Sequence, residues 1–308
     1  MNGAMCCFVM RPTADATLSR LKLPLMPDQL KRMTPHARCE LEALNWHGVF
    51  LKKRVLEEVR TTPGMGIFAE EFGVAFNEPV AIDIVGVDHR EDRQLLFVFE
   101  CKRAYTKEKT WVFFKDIDPT FRLCRAVSGI MQLGHYTTGT AVAEKPAVCS
   151  EGYELVASEK AFKADQRPVY EAGNQLCKGF LGFLRTRMSQ RHRPTSVPDK
   201  MLDCILPVLV TTAELRVAEF DVSQISLQTG NLDGDLALTT RDWLILKHPF
   251  AAIENASFSD FRKDPPHQQD VQHWSQMYRE SLFVVNSAKL PVFLTKEFRD
   301  YLDKLKIR

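Results

Sequence analysis

The sequence lacks the spacings of cysteine and histidine that hold zinc. Its eight cysteines are scattered, no CxxC pair occurs, and no cysteine stands in a zinc-like cluster with histidine. We therefore expect free, mostly buried thiols in a reducing cytoplasm. The sequence also has no P-loop, GxGxxG, GxSxG or HExxH motif. The protein classes that rely on those motifs are not indicated, and an ATP-driven step would need a partner.

Long apolar runs and a strong net charge are also absent. No run of 18 apolar residues occurs, and the short apolar run from Ala4 to Met10 has no basic segment before it. We therefore expect neither a membrane span nor a signal peptide. The net charge is only +2, so a surface for nucleic acid would have to come from local clustering of basic residues. The 308 residues, 45% of them hydrophobic, supply ample material for a globular core.

Two apolar, β-rich segments stand out in the first third of the chain. They run from Val80 to Val87 and from Leu95 to Lys102, and a short charged segment joins them. This arrangement predicts a β-hairpin. An antiparallel pairing of the two strands brings Asp83 beside Glu100. Side chains alternate between the two faces of a strand, so Glu100 and Lys102 share one face.

The charged residues of this hairpin predict a metal site. Charge among Val, Ile and Phe is costly unless it is paired or binds a metal. The carboxylates of Asp83 and Glu100, with the backbone carbonyl of Cys101, form a hard oxygen set suited to Mg²⁺ or Mn²⁺. Such an ion activates water and neutralises charge on a phosphate, and Lys102 would steer that water or stabilise the phosphate. The alternative is a solvated edge where Glu100 and Lys102 form an ion pair.

Asp83, followed on the next strand by Glu100-x-Lys102, resembles the motif of the PD-(D/E)XK nuclease superfamily. Ile82 stands where the motif has proline, and the nearest proline is Pro79; relatives often lack that proline. The resemblance implies that Asp83 and Glu100 are metal ligands and that Lys102 is the catalytic lysine. It implies a metal-dependent nuclease, with DNA as the default substrate and RNA as an open alternative.

The resemblance also implies a fold. It predicts an α/β (α+β) protein with a restriction-endonuclease-like core, a mixed central β-sheet flanked by helices. A helix would precede three antiparallel strands, and the match covers roughly residues 40–140 with one later strand. We expect three regions: an N-terminal arm at 1–34, the nuclease-like core at 35–220, and a β-rich C-terminal extension packed on the core at 221–308.

Periodic patterns predict the main elements of this core. Apolar residues recur at helical spacing from Pro35 to about Arg60, with Gly48 as a possible break. Ile67 to Phe76 is predicted to be the first strand. Two later helices are predicted, from about Thr120 to Tyr136 and from about Val169 to Gln190.

Superfamily members often carry one more acidic residue on the leading helix. Glu71 on the first predicted strand is one candidate. The leading helix offers three others: Glu42, Glu57 and Glu58. Gln132 and Tyr136 on the predicted helix are similar to a Gln-x3-Tyr pair of exonuclease-like branches, which lies near the metal. For each of these residues an ordinary surface position is the alternative.

Basic residues cluster at two places. The first cluster follows the Glu-x-Lys segment and comprises Arg103, Lys107 and Lys109. The second begins on the helix predicted from about Val169 to Gln190, in a stretch without Asp or Glu. It includes Arg185, Arg187 and Arg191. Either cluster would contact the phosphate backbone, which gives affinity without sequence readout. The alternative for the second cluster is a helix C-terminus that favours positive charge.

Two other classes of protein fit the same residues. One is a catalytically inactive nucleic-acid-binding module on the same fold. The other is an interaction protein whose acidic and basic residues form an ion-pair network. If the chain is a nuclease, analogy suggests a restriction or defence context. A double-strand cut needs two active sites, which makes a homodimer an expected form.

Overall fold

A computed structural model describes most of the chain beyond residue 33. The described residues are 34–46, 48–76, 78–90, 93–104, 109–117, 121–127, 130–136, 147–157, 162–191, 202–249 and 279–304. The chain divides into two compact units, Met1–Leu44 and Asn45–Arg308. The predicted N-terminal arm lies outside the described residues, apart from Thr34.

Five α-helices occur in the described residues: α1 (Pro35–Trp46), α2 (Val49–Thr61), α3 (Arg167–Arg191), α4 (Leu290–Phe293) and α5 (Lys296–Lys304). The same residues form thirteen strands. The first seven are β1 (Met65–Phe76), β2 (Glu78–His89), β3 (Arg93–Lys102), β4 (Thr110–Lys115), β5 (Phe121–Val127), β6 (Ile130–Tyr136) and β7 (Val148–Ala157). The others are β8 (Phe162–Asp165), β9 (Leu202–Thr211), β10 (Glu214–Glu219), β11 (Ala237–Arg241), β12 (Trp243–Pro249) and β13 (Arg279–Asn286).

The strands form one mixed sheet in the order β1-β2-β3-β9-β13-β12-β7-β4-β10-β11. β1, β2 and β3 are successive antiparallel neighbours, and β9 runs parallel to β3. β5 and β8 add to β9 and β7, and β6 adds to β5. The expected mixed α/β architecture is therefore confirmed at the level of a large mixed sheet flanked by few helices.

β9 lies in the interior of this sheet, and one of its edges pairs with two different strands. One edge of β9 pairs with β3 along its whole length. The other edge pairs with β5 over Leu202–Ile205 and with β13 over Val208–Thr211. Pro207 lies between these two stretches, and proline has no N–H to donate to a ladder. A proline is therefore tolerated in a central strand at the point where the neighbouring strand changes.

Two helical layers cover the sheet. α3 packs on one face through the apolar stripe of Leu176, Phe180 and Phe183. α2 packs on the other face through Val55 and Val59, in the same buried cluster as residues of α4 and α5. Residues 95–99 of β3 are completely buried between these layers. A continuous apolar run is what a strand buried on both faces requires.

The predicted first helix and the helix beginning near Val169 are both confirmed. The first is interrupted as the sequence suggested, because Gly48 has φ +70 between α1 and α2. Only glycine adopts such a left-handed conformation at little cost. The Val80–Val87 and Leu95–Lys102 hairpin is confirmed as β2 and β3.

The prediction of a helix from Thr120 to Tyr136 is wrong. This segment forms two antiparallel strands, β5 and β6. Its apolar residues fit both helical and strand spacing. β5 hydrogen-bonds to β9 over Leu202–Ile205, the part of that edge that β13 does not cover. Pairing to a central strand overrides a weak local preference. Beyond residue 220, β12 and β13 lie inside the sheet between β9 and β7.

Candidate active site

The candidate site lies where β2 and β3 part from each other. The ladder between them runs from His89↔Gln94 to Ile84↔Phe99 and ends there. Beyond that point β2 stays paired with β1, whereas β3 stays paired with β9. Asp83 and Glu100 are the next residues on the two strands. The splayed ends therefore place both carboxylate-bearing residues at the mouth of one gap.

Asp83 spans this gap with its side chain. Its Oδ2 accepts a hydrogen bond of 2.9 Å from the backbone N–H of Cys101. The N–H and C=O of one strand residue point to the same edge, so the Cys101 carbonyl also faces the gap. Burial raises the pKa of the Cys101 thiol well above its usual value, so the thiol stays protonated. The predicted contribution of Cys101 thus remains its carbonyl.

Glu100 is a buried carboxylate beside a second negative charge. Its side chain is only 5% exposed. Burial, and then the charge of Asp83, raise its pKa to about 7, although the nearby Lys102 works in the opposite direction. A neighbouring carboxylate disfavours the charged form of a buried one. A further positive charge nearby would stabilise the ionised forms of both carboxylates.

Lys102 connects the strand to helix α3. Its Nζ lies 3.2 Å from Glu100 Oε1 and also donates a hydrogen bond to Gln175 Oε1. The Lys102 side chain is one-third exposed, so it is held in place and still accessible. Gln175 carried no sequence signal, because it lies 73 residues from Lys102 and its helix was recognised only by its apolar stripe.

Glu71 lies at the site but contacts it through Lys52 of α2. Lys52 donates a hydrogen bond to Glu71, and its Nζ lies 3.7 Å from Asp83 Oδ1. This hydrogen bond lowers the pKa of Glu71. For Lys52, burial works against charge, but the bond to Glu71 and the charge of Asp83 raise its pKa overall. Lys52 was not predicted from the sequence.

Two of the three leading-helix candidates, Glu57 and Glu58, pair within their own helix, and the side chain of Glu42 lies outside the described residues. Glu57 pairs with Arg60 at 3.5 Å, and Glu58 pairs with Arg54. These are neighbours three and four residues apart on one helix, the ordinary spacing of surface pairs. Glu71 is therefore the acidic candidate that the described structure links to Asp83.

Gln132 does not belong to this site. It lies on β6, where its backbone is paired with Arg125 of β5, and Arg125 is paired with Cys204 of β9. Cys204 in turn is paired with Leu95, seven residues before Lys102. At the rise of a strand this is about 23 Å along the sheet. The prediction of a catalytic role for Gln132 rested on the helix that is absent.

A cleft of about 470 Å³ opens beside Lys102. Lys102 at the end of β3 and Arg103 directly after it line the cleft, and α3 contributes Arg167 and Gln175. The cleft is therefore bordered by basic side chains from a strand and from the start of a helix. Its lining also includes three acidic residues: Glu154, Asp165 and Glu171.

The predicted nucleic-acid contacts are distributed unevenly around this cleft. Arg103 lines it, and so does Lys109, whose Nζ is 2.6 Å from the buried carboxylate of Glu154. Lys107 lies outside the described residues. The second cluster, Arg185, Arg187 and Arg191, belongs to the last third of α3. The rise of a helix places these residues about 15 to 24 Å beyond Gln175 along its axis.

The donor set fits a hard divalent ion with an incomplete protein shell. Within the described parts of the chain, no three or more His, Cys, Asp and Glu side chains are grouped as metal ligands. The gap offers the carboxylates of Asp83 and Glu100 and the carbonyl of Cys101. Mg²⁺ is commonly held by one or two carboxylates and keeps several waters. Burial, and then the charge of Asp83, disfavour the ionised form of Glu100, and the positive charge of such an ion would favour that form.

Comparison with protein-family models finds no matching family, and comparisons with curated proteins and with solved structures find no match. In the described residues, no helix is both long and apolar enough to cross a membrane. The function proposed below therefore rests on the geometry of the site.

Proposed function

We propose that this protein is a metal-dependent nuclease of the PD-(D/E)XK type, which hydrolyses phosphodiester bonds, with DNA as its default substrate. The observation that carries the proposal is the meeting of Asp83, Glu100 and Lys102 where β2 and β3 part. The element order supports it as well. A helix precedes three antiparallel strands, the third ends in Glu-x-Lys, and a later strand lies parallel to it.

Each residue of the site has a distinct role in this proposal. Asp83, Glu100 and the Cys101 carbonyl would hold Mg²⁺ or Mn²⁺. The bound ion supplies an acidified water and offsets charge on the phosphate. Lys102 places its ammonium where negative charge develops on the phosphate, and Gln175 keeps that ammonium oriented. Glu71 is held beside the site by its hydrogen bond with Lys52.

The cleft beside Lys102 is the proposed path of the substrate backbone. Arg103, directly after β3, and Arg167, at the start of α3, border it. Contacts of this kind fix the position of a nucleic acid but do not read its sequence. Asp165 accepts a hydrogen bond from the backbone N–H of Arg167, which holds the start of α3 in place. By analogy alone, we place the protein in the cytoplasm, in a restriction or defence context, and as a homodimer if it cuts both strands.

One observation favours a second candidate, a nucleic-acid-binding module that does not cleave. Each carboxylate of the site already has a cationic neighbour. Lys102 lies beside Glu100, and Lys52 lies beside Asp83 and Glu71. The charges are therefore balanced in part without any ion. This candidate predicts affinity for nucleic acid but no cleavage that depends on metal.

A cleavage assay separates these candidates. The protein is incubated with circular and linear DNA and with RNA, in Mg²⁺, Mn²⁺ or EDTA. We expect cleavage that requires metal and falls at least about a hundredfold in Lys102→Ala. The control variant is Lys115→Ala, because Lys115 is an exposed lysine paired with Glu219 on another strand. Binding without cleavage supports the second candidate, and equal activity of the two variants contradicts the nuclease mechanism.

A further inference from the structure

Lys52 lies in an unusual place for a helix-surface lysine. Its side chain is only 14% exposed, and its ammonium lies between two carboxylates of the site. It hydrogen-bonds Glu71 and lies 3.7 Å from Asp83 Oδ1. Its charge also acts on the buried carboxylate of Glu100. One ammonium group therefore interacts with all three carboxylates that surround the gap.

The partner of Lys52 is held in a strained conformation. Glu71 has φ +48, and in the described residues it is the only residue other than glycine with a positive φ. For a residue with a side chain this conformation costs about 1 to 2 kcal/mol. β1 also shifts its register against β2 nearby, between Ile67 and Ala69. Strain of this kind is concentrated at functional sites, and here it accompanies the pairing of Glu71 with Lys52.

We propose that Lys52 is a tethered counter-ion that competes with the divalent metal for Asp83 and Glu71. Without metal, its ammonium supplies the positive charge that the carboxylates require. With metal, the ammonium must leave Asp83, so the site binds the ion less tightly than its carboxylates alone would allow. This inference rests on the proposed metal site, and it adds a residue that sets the metal concentration at which the site fills.

The chain contains a matched control for this role. Lys53 is the next residue of α2 and pairs with Glu70, the neighbour of Glu71, at 2.5 Å. The Lys53 side chain is 60% exposed. Lys53→Met and Lys52→Met thus remove the same charge from adjacent positions of one helix. Only Lys52→Met removes a charge that contacts Asp83.

The test measures metal binding by the rise of the melting temperature in graded MnCl₂, with EDTA as the reference. A ligand that binds only the folded state raises the melting temperature as its site fills. For Lys52→Met, we expect half-saturation at a Mn²⁺ concentration at least about tenfold lower than for the wild type. For Lys53→Met we expect a change of less than about twofold, as for an exposed pair. Lys52→Arg keeps the charge and should resemble the wild type.

The outcomes distinguish this inference from the proposed function. If the wild type binds Mn²⁺ and Lys52→Met binds it no more tightly than Lys53→Met, the counter-ion role is wrong while the metal site stands. If neither the wild type nor Lys52→Met responds to Mn²⁺, both proposals are wrong. If Lys52→Met does not fold, Lys52→Gln is measured in its place, and the same criteria apply.

Discussion

At the scale of single residues, Glu100 has an environment that is unfavourable to its charge. It is buried, it lies beside Asp83, and its pKa is raised to about 7. A carboxyl group whose pKa is higher in the folded state than in the unfolded state binds more protons when folded. Its contribution therefore destabilises the fold as the pH rises from about 4.5 towards 7.

We predict that Glu100→Gln removes this loss of stability. In EDTA at pH 8, the free energy of unfolding of Glu100→Gln should exceed that of the wild type by up to roughly 3 kcal/mol. At pH 4, where the wild-type carboxyl is protonated in both states, the two proteins should be close. Urea unfolding at the two pH values measures the difference. A difference that does not change with pH would contradict the raised pKa of Glu100.

The hairpin residues were predictable and their supporting contacts were not. Asp83, Glu100 and Lys102 could be found because each interrupts or ends an apolar β run. A charge in such a run is costly unless it is paired or binds a metal. Lys52 and Gln175 sit on helices whose sequences show ordinary polar positions. Their roles depend on packing between segments 19 and 73 residues apart. No local sequence pattern indicates which distant residues these side chains will contact.

At the scale of elements, α3 links the site to the rest of the sheet. Gln175 near one end of its apolar stripe reaches Lys102, and two residues earlier Gly173 packs against the ring of His248 on β12. His248 Nε2 lies 2.8 Å from Asn174 Oδ1, and burial lowers the pKa of this histidine to about 4. The ring is thus neutral and tightly enclosed. The distance between helix and sheet is set by a glycine.

We predict that Gly173→Ala destabilises the protein. A Cβ at this position would lie 2.6 Å from ring atoms of His248. Overpacking of this kind costs about 1 to 3 kcal/mol, more than the helix propensity of alanine returns. Gly73→Ala on β1 is the control, because its Cβ would meet no atom within 4 Å. Thermal unfolding compares them, and equal stability of the two variants would show that α3 has room to move.

The elements that the sequence predicted best have one strong period or a continuous apolar run. α2, α3, β2 and β3 belong to this group. β5 and β6 do not, because their apolar residues satisfy helical and strand spacing alike. The edge of β9 that pairs with β5 is provided by a segment about 80 residues later in the sequence. The choice between the two periods is therefore made by the tertiary fold.

At the scale of the whole molecule, the sheet interleaves distant parts of the chain. β13 and β12 lie between β9 and β7, so the C-terminal strands join the half of the sheet that holds the site to the half that holds β4 and β10. Residues Leu282, Val284 and Val285 of β13 are fully buried or nearly so. The strands of the site and the C-terminal strands β12 and β13 are thus parts of one sheet.

We predict that a chain ending at residue 220 does not fold to a soluble protein. It would leave β9 with an unpaired edge over Val208–Thr211 and remove the strand that pairs with β7. Exposed apolar edges of this kind lead to aggregation. The control is a chain ending at Lys304, which retains every described element. Soluble yield and cooperative unfolding compare the two, and a folded, soluble 1–220 chain would contradict the sheet order.

The most direct test of the central claim is the rate of DNA cleavage in Mg²⁺ by Asp83→Asn. This variant keeps the size of the side chain and loses the charge that would hold the ion. If Asp83 and Glu100 bind the metal, the rate should fall at least about a hundredfold. Asp242→Asn, which alters an aspartate paired with Lys289 before β12, should cut at the wild-type rate. Cleavage by Asp83→Asn at the wild-type rate would contradict a metal-dependent site in this gap.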